Sequence, residues 1–110
     1  MRMPNADRAV VELDKLTEYC LNPAHPRGRH KARVFLSALG LTPVDAEMLR
    51  DALLDAAESD DAAPGEVDEY GERFVVDFEM DGPTGHVAVR SAWIVRVDED
   101  FPRFVSCYVL

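Results

Sequence analysis

Cysteine, long apolar runs and positive charge are all scarce in this chain, and each scarcity narrows what it can be. Only two cysteines occur in 110 residues, Cys20 and Cys107, without a CxxC spacing. That argues against a disulfide framework or a zinc site and leaves both as reduced, small apolar side chains. No apolar stretch reaches the ~18 residues of a membrane span, and the opening MRMPNADRAV lacks the apolar segment of a signal peptide. The expected location is the cytoplasm, with no membrane partner. A nucleotide-binding glycine loop, a Ser-His-Asp signature and a zinc motif are all missing. Asp98, Glu99 and Asp100 are adjacent carboxylates on a turn and project apart, so no metal and no other cofactor is expected.

What is present is enough apolar material for one core. Apolar residues make up 47% of the chain, with five phenylalanines, three tyrosines and one tryptophan. The length suits a single domain over residues 1–110. Twelve Lys and Arg against 21 Asp and Glu give a net charge of −9, which opposes indiscriminate nucleic-acid binding. The charge is unevenly placed, however. Between Asp45 and Asp81 fourteen acidic residues face only Arg50 and Arg73, whereas Met1 to Val44 is net basic. A polarised molecule of this kind can meet RNA with one region and a basic protein with the other.

The hydrophobic period changes halfway along the chain. Val10, Leu13, Leu16, Cys20 and Leu21 recur at helical spacing and predict a first helix over Val10 to Leu21, ended by Asn22-Pro23. His30 to Leu39 reads as a second helix with Val34, Phe35 and Ala38 inward and Gly40 as its stop. Thr42-Pro43 opens a third, running to about Glu58 on the stripe Ala46, Leu49, Leu53 and Ala56 or Ala57. Ser59 to Gly65 reads as a charged turn. Beyond it the period is two: Arg73 to Met80, His86 to Val97 and Arg103 to Leu110 predict strands joined by turns at Asp81 to Gly85 and Asp98 to Pro102. A fourth strand near Glu66 to Tyr70 fits as well. The fold class is α+β, three N-terminal helices followed by an antiparallel meander of three to four strands.

Polar chemistry concentrates in Asn22 to Arg33, a basic knot at the start of the second helix. Arg27, Arg29 and Arg33 are the candidate phosphate-binding residues, since Arg and free backbone N–H groups at a helix start suit an anion. His25 or His30 is the candidate proton carrier. Lys31, Arg90 and Arg103 would stabilise charge on a phosphate, and Ser91 or Tyr108 would orient it. The bland alternatives stand beside these roles: basic residues on a solvated helix face, and Arg90 and Arg96 as cross-strand partners of Asp77 and Glu79.

The blocks His25-Pro26-Arg27-Gly28 with Lys31-Ala32, and Val89-Arg90-Ser91-Ala92-Trp93-Ile94-Val95, resemble those of an uncharacterised family of small bacterial domains. Relatives of this kind stand alone or end larger toxin-like proteins. The resemblance runs from about Asp14 to Val109, and Ser106 stands where relatives would carry threonine. Helices followed by an antiparallel sheet are also similar to the barnase, EndoU, colicin and RelE-like ribonuclease toxin superfamily, which implies metal-independent RNA cleavage. Two functions are therefore expected from different classes: an endoribonuclease acting on RNA phosphodiesters, or a non-catalytic acidic partner, immunity or antitoxin-like, of a basic protein. Convergence of the basic knot with the sheet arginines favours the first. Capture of Arg90 by Asp77 favours the second.

Overall fold

A computed structural model describes residues 1–110 and places three helical segments before a four-stranded antiparallel sheet. A 3-10 turn at Ala6–Arg8 comes first. Helix α1 occupies only Leu13–Lys15 and continues as a π turn over Leu16–Cys20. Helix α2 spans Arg29–Leu39, and α3 spans Ala46–Ser59 after a 3-10 turn at Pro43–Asp45. The strands are β1 Ala62–Asp68, β2 Gly71–Gly82, β3 Gly85–Arg96 and β4 Pro102–Val109, in the spatial order β1-β2-β3-β4.

Three local departures from the sequence reading have physical causes. Val10 is not helical, because its N–H donates to the Pro102 carbonyl at 3.0 Å and its own carbonyl accepts from Phe104 N–H at 2.9 Å. It therefore pairs beside β4 and delays α1. The π turn is closed by Leu21 N–H donating to Leu16 O at 2.9 Å. In a regular helix Leu21 would lie about 140° around from Leu16; the wider turn lets Leu16, Cys20 and Leu21 all be buried. On α2 the inward stripe is Ala32, Phe35 and Leu39, so Val34, one position from Phe35, faces solvent.

The segment expected to be a linker becomes an edge strand from Ala62 onward. Pro64 has no N–H to give and is tolerated because β1 is an edge, with an irregularity in register between Pro64 and Val67. Only Ala62 of β1 is buried. The helices cover one face of the sheet, where Phe74, Val76, Phe78, Val89, Trp93 and Phe104 meet Phe35, Leu49 and Leu53. Val95, on the same face of β3 as Val89 and Trp93, is only half-buried. On β4 a bulge between Phe104 and Ser106 leaves Val105 unpaired and exposed. That extra residue turns both Phe104 and Cys107 inward, so neither simple alternation of β4 holds throughout. The opposite face of the sheet carries no helix, and the candidate chemistry lies there and at its edges.

Candidate functional site

Outward side chains of β2 and β3 meet in register: Asp77 with Arg90, Glu79 with Ala88, Asp81 with His86. Tyr108 of β4 continues the first of these rows beyond Arg90. Arg90 binds Asp77 through two bonds, Nε to Oδ1 at 2.8 Å and Nη2 to Oδ2 at 2.9 Å. This forked pairing matches the planar geometry of both groups. Hydrogen bonding from Arg90 holds the Asp77 carboxyl below its ordinary range, and Asp77, followed by Tyr108, raises the guanidinium above its own. Lys31, in the first turn of α2, places Nζ 5.0 Å from the centre of the Tyr108 ring. Of the basic knot, Lys31 alone thus lies by the tyrosine that neighbours a sheet arginine.

The remaining candidates go elsewhere. His25 is half-buried, its ring 4.6 Å from that of Tyr19, and its Nδ1 accepts from the N–H groups of Arg27 and Gly28, each at 3.0 Å. It organises the turn into α2 and keeps only Nε2 for other partners. His30, Arg27, Arg29 and Arg33 are exposed on α2 or the turn before it, and the three arginines make no ion pair. Arg103 lies opposite Ile94, four positions along β3 from Arg90, which is roughly 13 Å at ~3.3 Å per residue. Its guanidinium is gripped by Glu99 through two 2.8 Å bonds and lies over the Phe101 ring. It does not join Lys31 and Arg90.

Ser91 is a correction. Its position faces the helices, it is wholly buried, and its hydroxyl donates to Val76 O at 2.7 Å while accepting from Trp93 Nε1 at 2.8 Å. As the fold stands, this hydroxyl is unavailable to a phosphate. It answers a need of the core, because a buried indole N–H requires an acceptor.

Sequence reasoning missed the concave surface. A groove of about 360 Å³ runs between α3 and β2, with Met48, Ala52, Ala56, Phe78 and Met80 as its apolar lining and Asp55, Asp60, Glu79 and Asp81 as its acidic one. Around the edge of the sheet a second hollow is lined by Asp60, Asp77, Phe78, Glu79 and Ala88. His86 stands at the far end with Nδ1 on the Asp81 carboxylate and Nε2 3.4 Å from Glu79 Oε2. The hydrogen bond to Asp81 and the charges of both carboxylates raise its pKa above the ordinary histidine value. The acidic run was the available signal. What composition did not give was its convergence on the edge of β2, which depends on where β1 begins.

These observations define a small α+β domain with a helix-free sheet face and an acidic groove beside it. The chain belongs to the DUF6883 family, a domain of unknown function whose profile matches residues 2–110. No protein of curated function matches it. Among solved structures it is similar in fold to a chain of the contact-dependent growth inhibition toxin–immunity protein complex from Klebsiella pneumoniae 342, with a TM-score of 0.68 and 20% identity over 92% of this chain and 99% of that one. At that identity the likeness is one of fold.

Proposed function

We propose that this domain is one partner of a toxin–immunity pair and that it works by binding a basic protein through its acidic face. The carrying observation is that the concavity between α3 and β2 and the negative charge coincide, while Arg90 and Arg103 are already held by Asp77 and Glu99. The fold likeness to a chain of such a complex supports the same reading. Opposed charge across an interface speeds encounter and selects the partner.

Reconstitution is the test. Tagged domain is recovered from its own cells, the co-purifying protein is identified, and the two purified proteins are titrated at two salt concentrations. The expected partner is basic, binds more weakly as salt rises, and is lost when Asp60→Lys and Glu79→Lys are combined. Binding indifferent to that charge reversal removes the reading.

The approach of Lys31 to Tyr108, whose cross-strand neighbour is Arg90, favours a second reading, metal-independent RNA cleavage. His30, or His25 through its remaining nitrogen, would move the proton, Lys31 and Arg90 would meet charge on the phosphate, and Arg27, Arg29 and Arg33 would hold the strand. RNA incubated with the protein and EDTA should then end in cyclic phosphate. Lys31→Ala or Arg90→Ala should slow that cleavage at least ~10-fold, the effect of roughly 1.4 kcal/mol of lost barrier stabilisation.

A further inference from the structure

Strand β1 is shorter than its neighbour. Its first residue, Ala62, is already opposite Val76, so β2 runs on from Asp77 to Gly82 with β3 on one side and no strand on the other. No backbone hydrogen bond outside the sheet ladder engages any residue from Asp77 to Asp81. The turn beyond is closed off differently, since Thr84 N–H donates to Leu39 O at 3.2 Å at the end of α2. What stays open is an edge of about 16 Å, five residues at ~3.3 Å each. Every second residue of it directs an N–H and a C=O away from β3.

The surroundings of this edge have a two-sided chemistry. Toward the helices, the groove presents Met48, Ala56, Phe78 and Met80. Toward the open face stand Asp77, Glu79 and Asp81, exposed, with Asp77 held by Arg90 and His86 between Glu79 and Asp81, while the unpaired Asp55 and Asp60 add negative charge along the groove. An added strand would alternate between these sides, one side chain into the apolar groove and the next over the carboxylates. A second copy of this chain is a poor occupant, because Asp77, Glu79 and Asp81 would then face their own kind, and like charges across strands repel.

We infer that the open edge of β2 takes an extended segment of a basic partner, in which apolar and cationic residues alternate, as an added strand. This rests on the reading that the domain binds a basic protein and specifies how. Main-chain hydrogen bonds to β2 would supply the attachment, and the alternation would set register and selectivity.

The probe is a capped peptide KVKVKVK, compared with EVEVEVE and with KVKVKVK methylated at alternate backbone nitrogens. All changes are in the ligand, so the folding of the protein is never in question. The expected result has three parts: KVKVKVK slows amide hydrogen exchange at alternate positions within Asp77 to Asp81, N-methylation of the edge-facing nitrogens weakens binding at least ~10-fold, and EVEVEVE does not bind. Equal binding by the methylated peptide, or protection on α2 instead of β2, overturns the inference. Dimerisation of the peptide-free protein with the same protected amides overturns it in favour of self-pairing. If methylation has no effect while the natural basic partner still binds, strand addition fails and the function stands; if the peptide pairs but no basic partner is recovered, the reverse holds.

Discussion

Replacing Ser91 with Ala should destabilise the domain far more than the loss of one small side chain suggests. The hydroxyl is wholly buried and has two partners, Val76 O and Trp93 Nε1. Removal strands the indole N–H in the core at about 1–3 kcal/mol and forfeits a second bond worth about 0.5–1.5 kcal/mol. The sum, about 1.5–4.5 kcal/mol, is a large share of the ~5–15 kcal/mol that holds such a domain together. With a urea slope of about 1–3 kcal/mol/M, the unfolding midpoint should fall by about 1–2 M with the slope unchanged. Trp93→Phe removes the donor instead, so Ser91→Ala made in that background should cost at least ~1 kcal/mol less than in the wild type. A loss under ~1 kcal/mol for Ser91→Ala alone, or strict additivity of the pair, would show that the hydroxyl does not satisfy the indole.

Gly71→Ala should be another severe change, because Gly71 has φ +146 and a Cβ there would lie 2.2 Å from Val95 O; circular-dichroism melting should register a loss well beyond the ~1 kcal/mol of an ordinary strand glycine replacement. His86 should titrate above 6.5 by NMR, since Asp81 and Glu79 raise its folded pKa. A raised folded pKa means that its contribution to stability is complete below the unfolded value and fades as pH climbs through the folded one, and His86→Gln should abolish that part of the pH dependence.

The core was the legible part of the fold, and the reason is that period carries information about faces. Ala46, Leu49, Leu53, Ala56 and Ala57 form the buried stripe of α3 as their spacing predicts, and Phe74, Val76, Phe78 and Met80 do the same for β2. Departures arose where a tertiary partner overrode local preference. Val10 was drawn to β4, and the residues after Ser59 paired with β2 although proline and glycine marked them as a turn. On β4, the bulge beside Val105 shifted the inward side by one residue, which no alternation rule can place in advance.

Candidate site residues were harder to sort because a side chain's availability depends on its partner, and partners are fixed by register. Strand pattern alone paired Arg90 with Asp77, but its companion pairing of Arg96 with Glu79 fails, since Glu79 stands opposite Ala88 and Arg96 opposite Gly71, and no pattern assigned Arg103 a partner. Register put Arg90 opposite Asp77 and between Asp77 and Tyr108, while the turn before β4 gave Arg103 to Glu99. The same register left Lys31 facing an aromatic ring and left Asp60, Glu79 and Asp81 around a groove. A cation already neutralised by a forked carboxylate must be released, or its partner displaced, before it can hold a phosphate. On the acidic edge Asp77 is held by Arg90, and Glu79 and Asp81 share His86, but Asp55 and Asp60 beside it have no cationic partner and the backbone next to Glu79 has no strand. Between a site whose cations are satisfied and an edge with open backbone groups and the unpaired Asp55 and Asp60 beside it, unmet bonding capacity favours the edge as the surface where a partner gains most.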